Sequence, residues 1–380
     1  VIFEPAGAQR AVRDAARAFA REDLAPVAKS LSEEERFPVE LLREAARRGL
    51  MGVNIPSRYG GAQAGSTALA LAMMEIAEAD ASFAVAVSVT NMVAEVVHVF
   101  GTEAQRARFL PALVSGQALC GAFALSEAES ASDAAAMRTS AERRGDRWVL
   151  NGAKQWISHG AHAGVVVVWA RSDMAQKGAR GISAFAVERG TPGLSPGRPE
   201  EKMGLRSSMT VPLTFEECGV PSGNLLGKEG EGFKLAMMAL DGGRIGIASQ
   251  AVGVARAALN AAQRFLRERA AAGASEADLE IQRLYLADMA TQLRASELMA
   301  LRAAWLKESG RPFTREASMA KLYASEMAQR TCDKAVQIHG ALGGTDAFPV
   351  ERYFRDARVQ TLYEGTSEIQ RLVIARDLLK

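Results

Sequence analysis

Near the end of the chain, Thr361–Arg371 reads TLYEGTSEIQR. A carboxylate, Glu364, stands between a tyrosine and a glycine; two hydroxyl residues follow, and only then does a helical pattern begin. A carboxylate so placed is either a solvated loop charge or a base held for proton abstraction. Three other stretches gather hydroxyl and small residues: Phe123–Asp133 (FALSEAESASD), Asn151–Ser158 (NGAKQWIS) and Gln337–Gly344 (QIHGALGG). Loops of Ser and Gly expose backbone N–H groups, which suit phosphate oxygens and the polar edge of a flat ring system. The Trp156 side chain could cover the face of such a ring. Taken singly, each loop reads first as a turn between strands. No G-x-G-x-x-G and no Walker-type phosphate loop occurs. His159 and His162 lack the cysteine or carboxylate spacing of a metal site, so no metal is expected.

The rest of the chain must position those groups. It has 380 residues, 48% apolar and 24% charged, which suits two or three packed domains of ordinary globular composition. Lys and Arg number 46 against 44 acidic residues, a net charge of +2, so a nucleic-acid footprint is not expected. The segment Arg264–Arg269 (RFLRER) reads as a solvated helix face. Three separated cysteines, Cys120, Cys218 and Cys332, argue against a disulfide framework and for a reducing, cytoplasmic setting. No signal peptide is visible, although the missing initial Met leaves room for a removed organellar leader. No stretch reads as long and apolar enough to span a membrane; Val165–Ala170 has the length of a strand.

Three zones follow from periodicity. Residues 1–117 read as a helical domain, with helices over Val39–Arg48, Ser66–Ala79, Ala81–Phe100 and Glu103–Leu113. Residues 118–228 read as a small barrel or sandwich of short strands: Leu119–Leu125, Met137–Arg143, Arg147–Leu150, Val165–Ala170, Ile182–Val187 and Val211–Phe215. Residues 229–380 read as a helical bundle with helices over Phe233–Leu240, Gly246–Leu266, Ala277–Glu308 and Arg315–Gln337. That order is not the alternating pattern of a dinucleotide-binding sheet.

Together and in this order, the loops resemble the acyl-CoA dehydrogenase family, most closely its short-chain (butyryl-CoA) branch. The likeness is densest in Asp241–Gln250 (DGGRIGIASQ), Glu351–Arg358 (ERYFRDAR) and Tyr363–Arg371 (YEGTSEIQR). The resemblance implies a multidomain α and β fold: an N-terminal helical domain, a middle β-barrel and a C-terminal four-helix bundle, assembled as a homotetramer (a dimer of dimers). It implies FAD as cofactor, a short-chain acyl-CoA as substrate and an electron-transfer flavoprotein as electron acceptor, without nucleic acid or membrane partners.

Carried over residue by residue, the family pattern makes Glu364 the base that removes the α-proton of the thioester while the flavin takes the β-hydrogen as hydride. Burial should make that base stronger. Leu125, Ser126, Ser132, Trp156, Ile157 and Ser158 match flavin contacts in the barrel. Thr366 and Glu368 match contacts near the pyrophosphate and adenine, and Arg269, Gln337 and Gly340 match contacts to a neighbouring subunit's FAD. Asp241, Arg244 and Gly365 match substrate-side positions, with Ser132 among them. Relatives that carry the base on the earlier helix have Glu where this chain has Gly243, so Glu364 has no competitor. Relatives acting on dicarboxylyl thioesters carry an Arg where Ala84 precedes Ser88-Val89, which disfavours a glutaryl-type substrate.

Four cofactor loops depart from the pattern. Glu129 and Ala131 replace residues of the usual glycine-rich loop, Ala272 replaces an aromatic, Glu280 a glutamine, and Gly340–Gly344 (GALGG) has Ala341 and Gly344 in place of the usual glycine and tyrosine. Weaker FAD retention is expected from unpaired negative charge at Glu129 and Glu280. Two alternatives stand beside the leading reading: the same chemistry on an acyl group tethered to a carrier protein, and a non-catalytic or weakly FAD-binding member of the fold.

Overall fold

The computed structural model describes residues 4–5 and 7–380. The first helix, α1 (Gly7–Phe19), buries Val12, Ala16 and Phe19, whose spacing puts them on one face. The helical path loosens over Ala20–Leu24 and tightens over Ala25–Val27, where Pro26 removes a backbone donor, before α2 (Ala28–Glu33) and α3 (Val39–Arg47). Helices α4 (Gly65–Ala79) and α5 (Ala81–Phe100) meet at Asp80, whose carboxylate accepts from the Phe83 N–H at 2.7 Å and caps α5. Helix α6 (Glu103–Val114) begins with a reciprocal Thr102–Gln105 cap.

Helix α5 corrects one expectation, since it is long and apolar enough to cross a membrane by length and composition. Yet 67% of its most apolar stretch is buried inside the protein, and its composition serves the core.

The strands are β1 (Gly121–Ala124), β2 (Ser140–Arg144), β3 (Arg147–Ser158), β4 (Val165–Arg171), β5 (Ile182–Glu188), β6 (Leu194–Pro196), β7 (Thr210–Pro221) and β8 (Leu225–Leu226). They form one sheet in the order β6-β7-β3-β2-β4-β5-β8, with β1 beside β4. The β1–β4 pair is parallel, from Gly121 opposite Val165 to Ala124 opposite Val168. One pair, Ser140 with Arg171, joins β2 to β4 and so links the two halves of the sheet. Trp148 of β3 packs on Phe185 of β5 across those halves, with ring centres 5.4 Å apart.

Asn151–Ser158, expected as a loop, is the second part of β3. Its pairing with β7 slips between Leu150 and Gly152 and again between Lys154 and Ile157, so the alternation that marks a strand is broken.

The chain ends in α7 (Gly232–Ala271), α8 (Glu276–Glu308), α9 (Thr314–His339), α10 (Val350–Arg358) and α11 (Ser367–Leu378). The two helices expected over Phe233–Leu240 and Gly246–Leu266 are one helix of 40 residues. Interior glycines cost about 1 kcal/mol each, and at Gly242 and Gly243, where the break was expected, tight packing explains why they persist. A Cβ on Gly242 would lie 2.6 Å from Lys307 Nζ, and one on Gly243 would lie 2.5 Å from Glu364 Oε2.

Helices α7 and α9 run side by side in the same direction. Arg244 reaches Ser318 near one end at 3.3 Å, and Phe265 stacks on His339 near the other at 4.3 Å. The two contacts are separated by equal lengths of each helix, about 30 Å at about 1.5 Å per residue.

Candidate active site

Glu364 lies in the turn between α10 and α11 with φ +54, and Gly365 follows with φ +90. A left-handed backbone at a residue with a Cβ costs about 1–2 kcal/mol, so it persists only where the surroundings fix it. Here three groups do. Gln370 Nε2 donates to the carbonyls of Glu364 at 3.1 Å and Gly365 at 2.9 Å. Lys321 Nζ, from α9, donates to the Gly365 carbonyl at 2.7 Å. The Tyr363 hydroxyl donates to Gln250 Oε1, and Gln250 Nε2 donates in turn to the Ala81 carbonyl at 2.7 Å. Gly365 has no substitute: besides its φ, a Cβ would meet Gln370 Nε2 at 2.6 Å.

The Glu364 residue as a whole keeps partial contact with solvent, but Oε2 has none and has no hydrogen-bond partner. A carboxylate shares its charge over both oxygens, so the loss of water at Oε2 disfavours the charged form. Burial pushes the carboxyl up to about 7, and the positive charges of Arg244 and Lys321 oppose that rise without cancelling it. Among the described residues, nothing accepts from the Glu364 backbone N–H. One short turn thus offers a carboxylate with one dry, unpartnered oxygen, able to take a proton near neutral pH, and a free donor beside it.

Opposite this carboxylate, Gly243 and Gly246 strip one face of α7. A Cβ on Gly246 would lie 2.7 Å from Ser88 Oγ, so the bare face runs from Glu364 towards Ser88 of α5. Ala84, one turn before Ser88, is fully buried and offers no cation. Arg244 is buried at 5% exposure; its Nη1 donates to Asp241 Oδ1 at 2.6 Å and to Ser318 at 3.3 Å, while its Nε is unpartnered. Asp241 also accepts from the Thr314 hydroxyl at 2.5 Å, and burial raises its pKa. Asp241, Arg244, Gly365 and Glu364 are therefore brought together at one end of the bundle.

In the β domain, Lys154 draws the Leu125–Glu127 loop onto β3. Its fully buried Nζ donates to the Leu125 carbonyl at 3.0 Å and Glu127 Oε1 at 2.9 Å, while the Gln155 N–H donates to the Ser126 carbonyl at 2.9 Å. The Glu127 carboxylate also accepts from the N–H groups of Arg138 at 2.7 Å and Thr139 at 3.0 Å. Beside this loop the second irregularity of β3 lifts Trp156 into solvent: its φ is +64 and it is 56% exposed. A large exposed indole on strained backbone fits a flat ring partner, and Ser126 and Ser158 flank it with half-buried hydroxyl groups. These residues fit a flavin. Ile157, expected beside the flavin, is buried at 1% exposure and pairs with Val211 of β7.

Ser132 is exposed, and Ser130 of the same loop is buried with an unpartnered hydroxyl. The expected unpaired charge at Glu129 is corrected: Arg138 meets it at 2.7 Å, both side chains standing in solvent. Thr366 Oγ1 accepts from the Ile369 N–H at 3.3 Å and caps α11, and Glu368 in its first turn is exposed.

Arg269, Gln337 and Gly340 lie at the other end of the bundle, about 30–40 Å along the helices from Arg244. Gln337 and Gly340 are exposed there, as are Ala272, Glu280, Ala341 and Gly344. The structure therefore does not bring these residues to Glu364 within one subunit.

Among the residues that shape this site, Gly246, Gln250, Lys321 and Gln370 were given no role in the sequence reading, and Ser88 was named there only as a landmark. Only Lys321 had a visible signal, a lysine on the small-residue stripe of Ala317, Ala320 and Ala324.

Comparison with known proteins agrees along the chain. Residues 7–117 match the acyl-CoA dehydrogenase N-terminal domain, residues 122–218 the middle domain and residues 230–379 the C-terminal domain. The mouse mitochondrial short-chain specific acyl-CoA dehydrogenase is 44% identical over 97% of this chain and 89% of its own. The acryloyl-CoA reductase (NADH) of Anaerotignum propionicum is 42% identical over 98% of this chain and 94% of its own. The butyryl-CoA dehydrogenase structure from Megasphaera elsdenii superposes with a TM-score of 0.96 at 38% identity, covering 100% of both chains.

Proposed function

This chain belongs to the acyl-CoA dehydrogenase family, and from that premise we propose that it removes hydrogen across the α and β carbons of a short-chain acyl-CoA, with Glu364 as the base. The observation that carries this reading is the solvent-excluded, unpartnered Glu364 Oε2 facing the bare strip of α7 at Gly243.

An acyl group lying along that strip presents its α-carbon to Glu364. The α-C–H is a weak acid, so its removal needs a base free of water and stabilisation for the charge that forms on the thioester oxygen. Glu364 supplies the first, and its own free N–H can supply the second. Arg244 and Lys321 keep the carboxyl ionisable despite its burial. Gln250, two turns along α7 from Gly243 and held by Tyr363, limits the strip and favours a short chain. FAD, when bound beside Trp156, supplies the acceptor for the β-hydrogen as hydride. Arg269, Gln337 and Gly340 would serve a cofactor held by a second copy, which supports a homotetramer, and an electron-transfer flavoprotein is the proposed onward acceptor.

The reductase relative favours a second reading, in which the same residues run the reaction towards the saturated thioester. A group with a pKa of about 7 can return a proton as well as take one. The test is spectroscopic. Purified protein should be yellow, or become so with added FAD, and butyryl-CoA should bleach it. Protein that neither binds FAD nor responds to any short acyl-CoA or enoyl-CoA overturns both readings.

A further inference from the structure

We propose that Lys321 is the positioning residue of the base: its ammonium group locks the Glu364–Gly365 turn through the Gly365 carbonyl and, with Arg244, supplies the positive charge that favours the ionised form of Glu364. The proposal rests on the reading of Glu364 as base.

Lys321 has no solvent exposure, and its neighbours on the same face of α9, Ala317, Ala320 and Ala324, have none either. A buried ammonium is costly unless it is well paired. Among the described residues Lys321 forms no ion pair, and its Nζ has one hydrogen-bond partner, the Gly365 carbonyl at 2.7 Å. Stability alone gives little reason for that choice, because an apolar residue would continue the helix stripe without a charge to bury.

The partner is what gives it a reason. The Gly365 carbonyl receives two donors, Lys321 Nζ and Gln370 Nε2, and Gln370 also holds the Glu364 carbonyl. Fixing both carbonyls fixes the left-handed Glu364 backbone, and with it the direction of the side chain and of the free N–H. The charges around this pair come from several elements. Arg244 on α7 faces Glu364, and Glu326 on α9 and Glu368 on α11 face Lys321. Arg244 is engaged by Asp241 at 2.6 Å, which leaves Lys321 as the cation not committed to another carboxylate. Burial pulls the Lys321 ammonium down to about 8, while Glu364 is the main charge opposing that fall.

The test uses the full-length, FAD-loaded protein and rapid-mixing reduction by butyryl-CoA between about pH 5.5 and 9, with Lys321→Gln, Lys321→Met, Lys321→Arg and Glu364→Gln. Amide hydrogen exchange across residues 362–368 of the unloaded protein is followed in parallel. Lys321→Gln keeps a donor and loses the charge, so the acid limb of the rate profile should move up by about one pH unit, with a nearly unchanged plateau. Lys321→Met should show the same shift, a plateau at least about tenfold lower, and faster exchange in the turn. Lys321→Arg should keep the limb near the parent position. A limb that stays put in Lys321→Gln overturns the proposal, and it does so even if Lys321→Met fails to fold. Unchanged exchange in a folded Lys321→Met removes the positioning role. Glu364→Gln separates the two levels: parent-like reduction there sinks the base assignment itself, whereas a dead Glu364→Gln beside an immobile limb sinks only this proposal.

Discussion

Moving the base across the slot tests the geometry of the site more severely than removing it. A Cβ built on Gly243 falls 2.5 Å from Glu364 Oε2 and 3.0 Å from its Cδ, so a side chain at 243 and the Glu364 carboxylate claim the same space. Glu364→Gly alone should slow reduction by about 10²- to 10⁴-fold, the usual value of one general base, or about 3–5 kcal/mol of barrier. Glycine also suits the φ of +54 at that position. Adding Gly243→Glu brings a carboxylate to the emptied space from the opposite wall, and at least about tenfold of the loss should return. The pair Gly243→Glu with Glu364→Gln should behave otherwise, because Gln keeps the bulk that blocks residue 243. The assay is anaerobic rapid-mixing reduction by butyryl-CoA, with rates normalised to bound flavin. Equal recovery in the Gly and Gln backgrounds would refute the steric argument. No recovery in either, with substrate still bound, would refute the claim that the two positions address one point.

Three further outcomes follow from particular contacts. Trp156→Gly should weaken FAD binding by about 2- to 13-fold, from loss of about 0.5–1.5 kcal/mol of ring stacking, without lowering the melting temperature of the unloaded protein; isothermal titration and thermal melts read the two effects. Glu129→Gly should change FAD affinity by less than about fivefold, because Arg138 already meets this exposed charge; a larger gain would mean that Glu129 repels the cofactor directly. Glu364→Gln should stabilise the protein at high pH. Burial raises the folded-state pKa to about 7 from 4.5, so the unfolded chain ionises first and stability drains away as pH rises between those values. Chemical denaturation should find the variant more stable than the parent by about 1–3 kcal/mol at pH 8 and nearly equal at pH 4; equal stability at both would mean that the carboxylate is hydrated.

What the sequence made legible was the order of the zones and the motif around Glu364, because periodicity and local residue types carry both. It failed where tertiary contacts override local preference. Gly242 and Gly243 read as a break between helices, yet the helix continues, since Lys307 and Glu364 need the room that side chains would fill. Asn151–Ser158 read as a loop because the slipped register at Lys154–Ile157 destroys the period of two. Helix α5 escaped the membrane-length criterion in the reading, although its buried apolar run meets it. The charge on Glu129 looked unpaired because Arg138, its partner, lies nine residues on, at the far end of the loop. Nothing local foretold the left-handed Glu364 backbone or the two donors that hold it, Lys321 from a distant helix and Gln370 from the next one. Those depend on α9 and α11 arriving at one carbonyl.

Whether Glu364 takes the α-proton is read from Glu364→Gln in the FAD-loaded protein mixed anaerobically with butyryl-CoA. Gln keeps the size of the side chain and cannot accept the proton. The thioester should still bind and perturb the flavin spectrum, while reduction slows by at least about 10²-fold. Reduction at the parent rate would rule Glu364 out as the base, and loss of binding together with rate would assign this turn a structural role instead.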